Sequence, residues 1–477
     1  MKHCTDIARS RGRILTAVGI ILILITGYFI YLYFAYVNTA GFRIPIMDFC
    51  RWIAWYGEKI HTGTMDLLAL FTDKNEQIQP LALGIDFGIM EASNYNMWPL
   101  VISGAILRAI LAVFMAWILL RETKGTEDTG SRLFAWTCAA AIVIMSLNPN
   151  QWELVIEPFT LTMAIRICCF FGAFLMTERL LQGILDKAYR MQILSVLLLA
   201  FVSAFIAVLL SGAYIVAFLG AISGAFLVFC VINRKEIRPK HIPLMAIWGM
   251  TVMACLIFYI TSMPGGSIPG VHASIAEYLK GFMIYIGTAV VPQNLCETTL
   301  TPFLIVGIII CAVTVYLLIV YFRKRKDKIN YIPLLLIAYA AINGAVIAYG
   351  RVNLYGAGTM ASSRYTVESI IGLIGVVWLG ILCYPMPVKG IVRKVILWAC
   401  VIAVFVGLAG CYKTEGEIAI YRAAYQDGMK EKMLTINQCT DDELNVFQES
   451  PEYTRTMTAF FQKYNLSVFE TVNRDVE

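Results

Sequence analysis

Long apolar runs alternate with short polar segments along most of the chain. The first run, residues 14–37, contains no charged residue and is long enough to cross a bilayer as a helix. Ten further runs have sufficient length and apolarity for the same role. The pattern therefore predicts eleven membrane spans, at about 14–37, 98–120, 133–149, 155–177, 191–210, 212–232, 241–262, 301–322, 330–349, 365–384 and 392–412.

Composition supports the same class. The chain has 477 residues, of which 59% are hydrophobic and only 15% charged, with a mean hydropathy of +0.71. A soluble core of that apolarity is excluded, so we predict an all-α, polytopic membrane bundle. The 13 cysteines do not indicate a disulfide scaffold, because most of them fall within the apolar runs, where cysteine acts as a small hydrophobic residue.

Charge placement predicts the orientation of the bundle. Segments assigned to the cytoplasmic side hold 22 Lys and Arg residues, whereas the short loops assigned to the other side hold seven. This distribution follows the positive-inside rule. It predicts a cytoplasmic N-terminus and, with an odd number of spans, an extracytoplasmic C-terminus. The predicted parts are a membrane module, 1–412, which includes an external loop at 38–97, and an external helical tail, 413–477.

The first external loop contains two apolar segments that are too short to span. In residues 48–61, Phe49, Ile53 and Tyr56 recur at helical spacing, which predicts a helix lying in the plane of the lipid headgroups. Residues 78–90 are interrupted by a proline and an aspartate and predict an interfacial or partly re-entrant segment. A similar segment, 273–291, could line the same cavity from the other side.

Two acids in this loop are candidates for chemistry. Asp48 follows the first span by about ten residues, so its carboxylate would lie near the membrane surface and could accept a proton from a hydroxyl. Trp52, one helical turn further on, is a candidate for substrate binding. The alternative is that Asp48 only caps the interfacial helix. Glu76 precedes the second apolar segment; it is a substrate-binding candidate, or it merely solvates a turn.

Arginines supply the candidate anion-binding groups. Arg351 and Arg364, which precedes Tyr365, flank a predicted external loop rich in small residues, where a guanidinium could bind a lipid phosphate bidentately. Either could instead snorkel or pair with a neighbouring acid. Arg108 and Arg166 lie inside predicted spans, where an ionised side chain usually faces a partner or a wet cavity. They are candidates for substrate binding, or for structural pairing with acids such as Glu153 and Glu157.

Several function classes find no support in the sequence. It contains no Gly-rich phosphate loop, no nucleotide-binding fingerprint and no His/Cys cluster with metal-ligand spacing. Matched broken helices in two halves, as in repeat-built transporters, are not evident. We therefore predict no cofactor, no metal and no nucleic-acid partner.

A series of short motifs resembles a group of bacterial polytopic proteins without assigned function, and that group is similar to the GT-C glycosyltransferase superfamily. The motifs, in chain order, are Asp48-Phe-Cys-Arg-Trp52, Asn75-Glu76-Gln77-Ile78-Gln79-Pro80, Gln151-Trp152-Glu153, Ala361-Ser-Ser-Arg364-Tyr365-Thr366 and Asn465-Leu-Ser-Val-Phe469.

The resemblance implies a membrane glycosyltransferase in the bacterial cytoplasmic membrane. It would move a sugar from a polyprenyl-phosphate donor to a glycan or lipid acceptor on the extracytoplasmic face. Asp48 would be the general base, and Arg364 or Arg351 would bind the phosphate. The acidic pair that accompanies metal in some members is missing at Asp48. The alternatives are a polymerase or ligase acting on lipid-linked glycans, and a transporter or flippase for a lipid-linked or small anionic solute.

Overall fold

A computed structural model gives the architecture. It describes residues 2–66, 69, 80–123, 128–183, 189–209, 214–235, 237, 239–262, 273–324, 329–385, 390–448 and 450–470. In these ranges all regular secondary structure is helical, which confirms the predicted all-α class. Eleven of the helices are long and apolar enough to cross a membrane, which confirms the predicted number of spans.

The eleven long helices lie close to the predicted positions. They are α1 (Lys2–Ala40), α5 (Trp98–Glu122), α6 (Thr129–Ser146), α8 (Thr160–Gly183), α9 (Tyr189–Leu209), α10 (Tyr214–Ile232), α11 (Ile242–Ser262), α13 (Thr301–Lys324), α14 (Ile332–Tyr355), α15 (Ser363–Cys383) and α16 (Gly390–Leu434). The end of the bundle that carries Ala40, Trp98 and Ser363 is called the outer end here, because the charge pattern predicts that it faces away from the cytoplasm.

Shorter helices occupy the connections, mostly at the outer end. They are α2 (Asp48–Trp52), α3 (Glu58–His61), α4 (Pro80–Ala92), α7 (Glu153–Ile156), α12 (Ile275–Gly287), α17 (Asp441–Leu444) and α18 (Pro451–Tyr464). A π-helical turn, Ile53–Gly57, joins α2 to α3, so residues 48–61 form one continuous helical segment.

Helix α15 forms the centre of the bundle. In its most apolar stretch, 94% of the residues are buried, the highest share among the eleven long helices of the described chain. Helices α5 and α8 approach each other closely at Gly104. A Cβ atom there would lie 2.5 Å from the backbone of Thr160 and Leu161, so only glycine allows this spacing. This contact also places the next turn of α5, which carries Arg108, in the interior of the bundle.

The predicted interfacial helix exists, but protein rather than lipid covers its apolar face. Phe49, Ile53 and Tyr56 are buried. Phe460 of α18 packs against Gly57, and Lys463 pairs with Glu58 at 2.6 Å. The C-terminal residues therefore supply the cover that the sequence pattern assigned to headgroups.

Two further segments differ from their sequence-based description. Arg351 lies in the last turns of α14, because that helix continues to Tyr355, and only a short 3₁₀ turn, Ala357–Ala361, separates it from α15. Helix α16 has 45 residues and continues without interruption through position 412, where the predicted tail begins. The first part of that tail is thus a direct extension of the last span.

Candidate functional site

Asp48 is the first residue of α2 at the outer end. Met47 precedes it with φ 51° and ψ −130°, a conformation that costs a non-glycine residue free energy. The Met47 amide donates a hydrogen bond of 2.6 Å to the carbonyl of Phe447. Packing of the Phe49 ring against Phe159, with ring centroids 4.9 Å apart, then fixes α2 against the turn that precedes α8.

The Asp48 carboxylate is accessible and paired. Nη2 of Arg51 lies 2.6 Å from Oδ1 of Asp48, and the Asp48 side chain is 42% exposed. The Arg51 guanidinium also lies over the Trp55 ring, 5.3 Å from its centroid. Trp52, the aromatic residue predicted to bind substrate, is buried against Phe159 and acts in packing.

Arg364 reaches the same end of the bundle from α15. Its Nε donates a 2.7 Å hydrogen bond to Oε2 of Glu153 on α7. The Glu153 side chain is nearly buried, whereas 45% of the Arg364 side chain is exposed. Its terminal nitrogens have no hydrogen-bond partner among the described residues, so they can receive an anion while Nε keeps the group in place.

Glu157 links these groups. It lies in the turn between α7 and α8 and is only 3% exposed. Burial raises the pKa of its carboxyl well above the usual value, and the negative charges of Glu153 and Asp48 raise it further, whereas Arg364 and Arg422 oppose the shift. Asp48 and Arg364 therefore both act on one buried carboxyl group. We call Asp48, Glu153, Glu157, Arg364 and Arg422 the outer cluster.

Arg422 enters the outer cluster from the extension of α16. Its guanidinium lies over the Trp152 ring, 3.8 Å from the centroid, and Nη2 is 2.8 Å from Oε2 of Glu415. The Tyr36 hydroxyl of α1 donates to the same Glu415 oxygen at 3.0 Å. These contacts hold the arginine between α16, α1 and the turn that contains Trp152.

Arg351 and Arg364 both lie close enough to Tyr365 to act on it electrostatically. The Tyr365 side chain is largely buried in the first turn of α15. The structure thus places Asp48, Arg364, Tyr365 and Arg351 at one end of the bundle. Glu76, the remaining candidate of the first loop, lies outside the described residues.

The two arginines inside the spans form a separate group in the bundle interior. Arg166 of α8 pairs with Glu368 of α15 at 2.5 Å, with side-chain exposures of 1% and 0%. The pairing partner is therefore on α15 and not one of the outer acids, Glu153 or Glu157. Arg108 of α5 is an electrostatic neighbour of both Arg166 and Glu368. We call Arg108, Arg166 and Glu368 the inner cluster.

Glu157 and Arg422 were not predicted as functional residues. Glu157 was weighed only as a structural partner, and Arg422 falls in a tail of mixed charge with no motif around it. The Gln151-Trp152-Glu153 motif was a usable signal, because it marks the turn around which the outer cluster forms. Among the described residues, no group of three His, Cys, Asp or Glu side chains has an arrangement suited to a metal ion.

Comparison of the chain with family models, with curated proteins and with solved structures gave no match.

Proposed function

We propose that the protein is a membrane glycosyltransferase that moves a sugar from a polyprenyl-phosphate donor to a hydroxyl acceptor at the outer end of the bundle. The observation that carries the proposal is that an accessible carboxylate, Asp48, and a half-exposed guanidinium, Arg364, lie at the same end of the bundle and both act electrostatically on Glu157. A base for the acceptor and a cation for the leaving group are the two groups that such a transfer requires. The resemblance to GT-C enzymes adds to this support.

The chemistry is a substitution at the anomeric carbon. The acceptor oxygen forms a bond to that carbon while the bond between the carbon and the phosphate oxygen breaks. Asp48 takes the acceptor proton, and the terminal nitrogens of Arg364 stabilise the charge on the departing polyprenyl phosphate. The raised pKa of Glu157 favours its protonated form, which can donate a hydrogen bond but cannot act as the base.

The membrane anchors the donor in the right place. The eleven long helices place the bundle in the bilayer, where the prenyl chain of the donor dissolves. With the orientation predicted from the charge pattern, the outer cluster lies on the extracytoplasmic side of the bacterial cytoplasmic membrane. The acceptor would be a glycan or lipid hydroxyl on that side.

The experiment measures sugar transfer by the full chain reconstituted in proteoliposomes. Synthetic polyprenyl-phosphate monosaccharides labelled in the sugar serve as donors, and octyl glycosides serve as acceptors. We expect Asp48→Asn to lower the transfer rate about 100-fold or more, since removal of one such group commonly costs that much. We expect Arg364→Gln to cause a loss of about 100- to 1000-fold.

Matched controls are available on the same face. Asp427 is an exposed aspartate on the extension of α16, and Arg43 is an exposed arginine near the end of α1. Asp427→Asn and Arg43→Gln should keep wild-type transfer. If Asp48→Asn transfers sugar at the wild-type rate in a properly inserted protein, Asp48 is not the base and the proposed mechanism fails.

A further inference from the structure

We propose that the bundle interior contains a binding site for one small monovalent anion, of the size of chloride, beside Arg108. The site is separate from the outer cluster and does not depend on the proposed transferase activity. A cavity of about 40 Å³ lies between α5, α8, α14 and α15, and Arg108 is part of its wall. Leu111, Phe170 and Ile371 line it on other sides.

The Arg108 guanidinium is buried and incompletely paired. The residue is 4% exposed, and its Nε and Nη2 atoms have no hydrogen-bond partner in the described part of the chain. An arginine does not lose its charge in a protein, so burial must be balanced by another group. An anion in the cavity would accept hydrogen bonds from these nitrogens.

The charges around Arg108 are unbalanced by one unit. Glu368 neutralises Arg166 through their direct contact, and these two residues are the ionised side chains with the largest effect on Arg108. Tyr33 and Cys168, its other electrostatic neighbours, are neutral in their ordinary protonation states. The inner cluster therefore has a net charge of +1 in a region that the bilayer keeps dry, and one monovalent anion restores neutrality.

The size of the cavity selects the ligand. A volume of about 40 Å³ holds roughly three water-sized probes. A halide ion fits this volume. The apolar walls around the guanidinium suit a weakly hydrated ion such as chloride or bromide better than a strongly hydrated one such as fluoride.

Anion-dependent stability of the purified full chain in nanodiscs tests the site. Thermal unfolding is followed by tryptophan fluorescence in sodium chloride and in sodium gluconate at equal ionic strength. Binding of chloride to the native state alone should raise the Tm in a saturating manner, by roughly 2–5 °C at chloride far above its Kd. Equilibrium dialysis with radioactive chloride should give one bound ion per chain.

Arg108→Gln should remove the chloride effect and weaken binding at least roughly 30-fold, because it deletes the charged partner of the ion. Arg121→Gln, at the exposed end of the same helix, is the matched control and should leave both readouts unchanged. Should Arg108→Gln not fold, Ile371→Phe keeps the charge and fills the cavity, and it should also abolish chloride binding.

Three results would overturn the proposal. One is the same wild-type Tm in chloride and gluconate together with no bound radioactive chloride. Another is chloride binding that Arg108→Gln and Ile371→Phe both leave intact. The third is stabilisation by anionic phosphatidylglycerol in the nanodisc without any response to halide, because the partner of Arg108 would then be a lipid headgroup. None of these results bears on sugar transfer, which depends on the outer cluster.

Discussion

Removal of the Glu368 charge provides the sharpest test of the packing described above. Glu368 and Arg166 are fully buried and in direct contact, and Arg108 is close enough to interact with both. Glu368→Gln leaves two buried guanidinium groups without a carboxylate among the residues that act on Arg108. Breaking a buried ion pair by removing one partner typically costs about 3–5 kcal/mol. We expect this substitution to fall at the upper end of that range, because two cations then also repel each other.

The reciprocal substitution should cost less. Arg166→Gln removes one cation, so Glu368 and Arg108 remain with opposite charges and a net charge of zero. We expect a loss of about 3 kcal/mol or less, near the lower bound for a broken buried pair. The inequality between the two variants is the specific consequence of a third charge, Arg108, beside the pair.

Unfolding by sodium dodecyl sulfate in halide-free mixed micelles, followed by tryptophan fluorescence, measures both free energies for the side-chain charges alone. Glu277→Gln is the matched control, since Glu277 pairs with Lys280 at 3.5 Å and both side chains are 45% exposed. An exposed pair contributes about 0–1 kcal/mol. Equal losses for Glu368→Gln and Arg166→Gln would contradict the assigned charge balance, and a small loss for both would contradict the buried pair itself.

Three further predictions concern the backbone and the buried carboxyl. Met47→Gly should stabilise the fold by about 1 kcal/mol because it relieves a positive φ, and Met47→Ala should not; equal effects would refute the strain. Gly104→Ala should destabilise by roughly 1–3 kcal/mol because its Cβ meets the backbone of α8, whereas Gly172→Ala, with open space around it, should not. Protonated Glu157 stabilises the native state below its unfolded pKa of about 4.3, and this contribution is lost as pH rises towards the raised native value. Glu157→Gln should therefore flatten the fall in Tm as the pH rises above about 4.3, and an unchanged slope would rule that out.

The sequence was sufficient to predict the class and the number of spans. Hydrocarbon demands long apolar helices, so each span is visible in the sequence by itself. The positions of α1, α5 and α15 followed directly from that constraint. The π-helical turn at Ile53–Gly57 could not be predicted in this way. One wide turn in so short a segment does not change the spacing of its hydrophobic residues enough to be recognised.

The candidate site was predicted only in part. Asp48 and Arg364 stood out because a charge near a span end is rare and visible in one segment. Glu157 and Arg422 join them through an electrostatic interaction across 265 residues of sequence, and no local pattern indicates it. The partner of Arg166 was missed for the same reason. Glu368 lies inside the predicted span at 365–384, so it was a usable signal for a buried charge. Its pairing with Arg166 could not be read from the sequence, because the two residues are 202 positions apart and meet only through helix packing.

The uninterrupted α16 has a mechanical consequence. At about 1.5 Å per residue, its 45 residues extend about 67 Å, more than twice the hydrocarbon thickness of about 30 Å. A change in the tilt of such a long, uninterrupted helix moves its outer end sideways. Arg422 lies on this outer part of α16, where its guanidinium is fixed by Trp152 and Glu415. Contacts of this part with Tyr36 of α1 and with Trp152, more than the thickness of the bilayer, therefore determine how far the outer end of α16 can move.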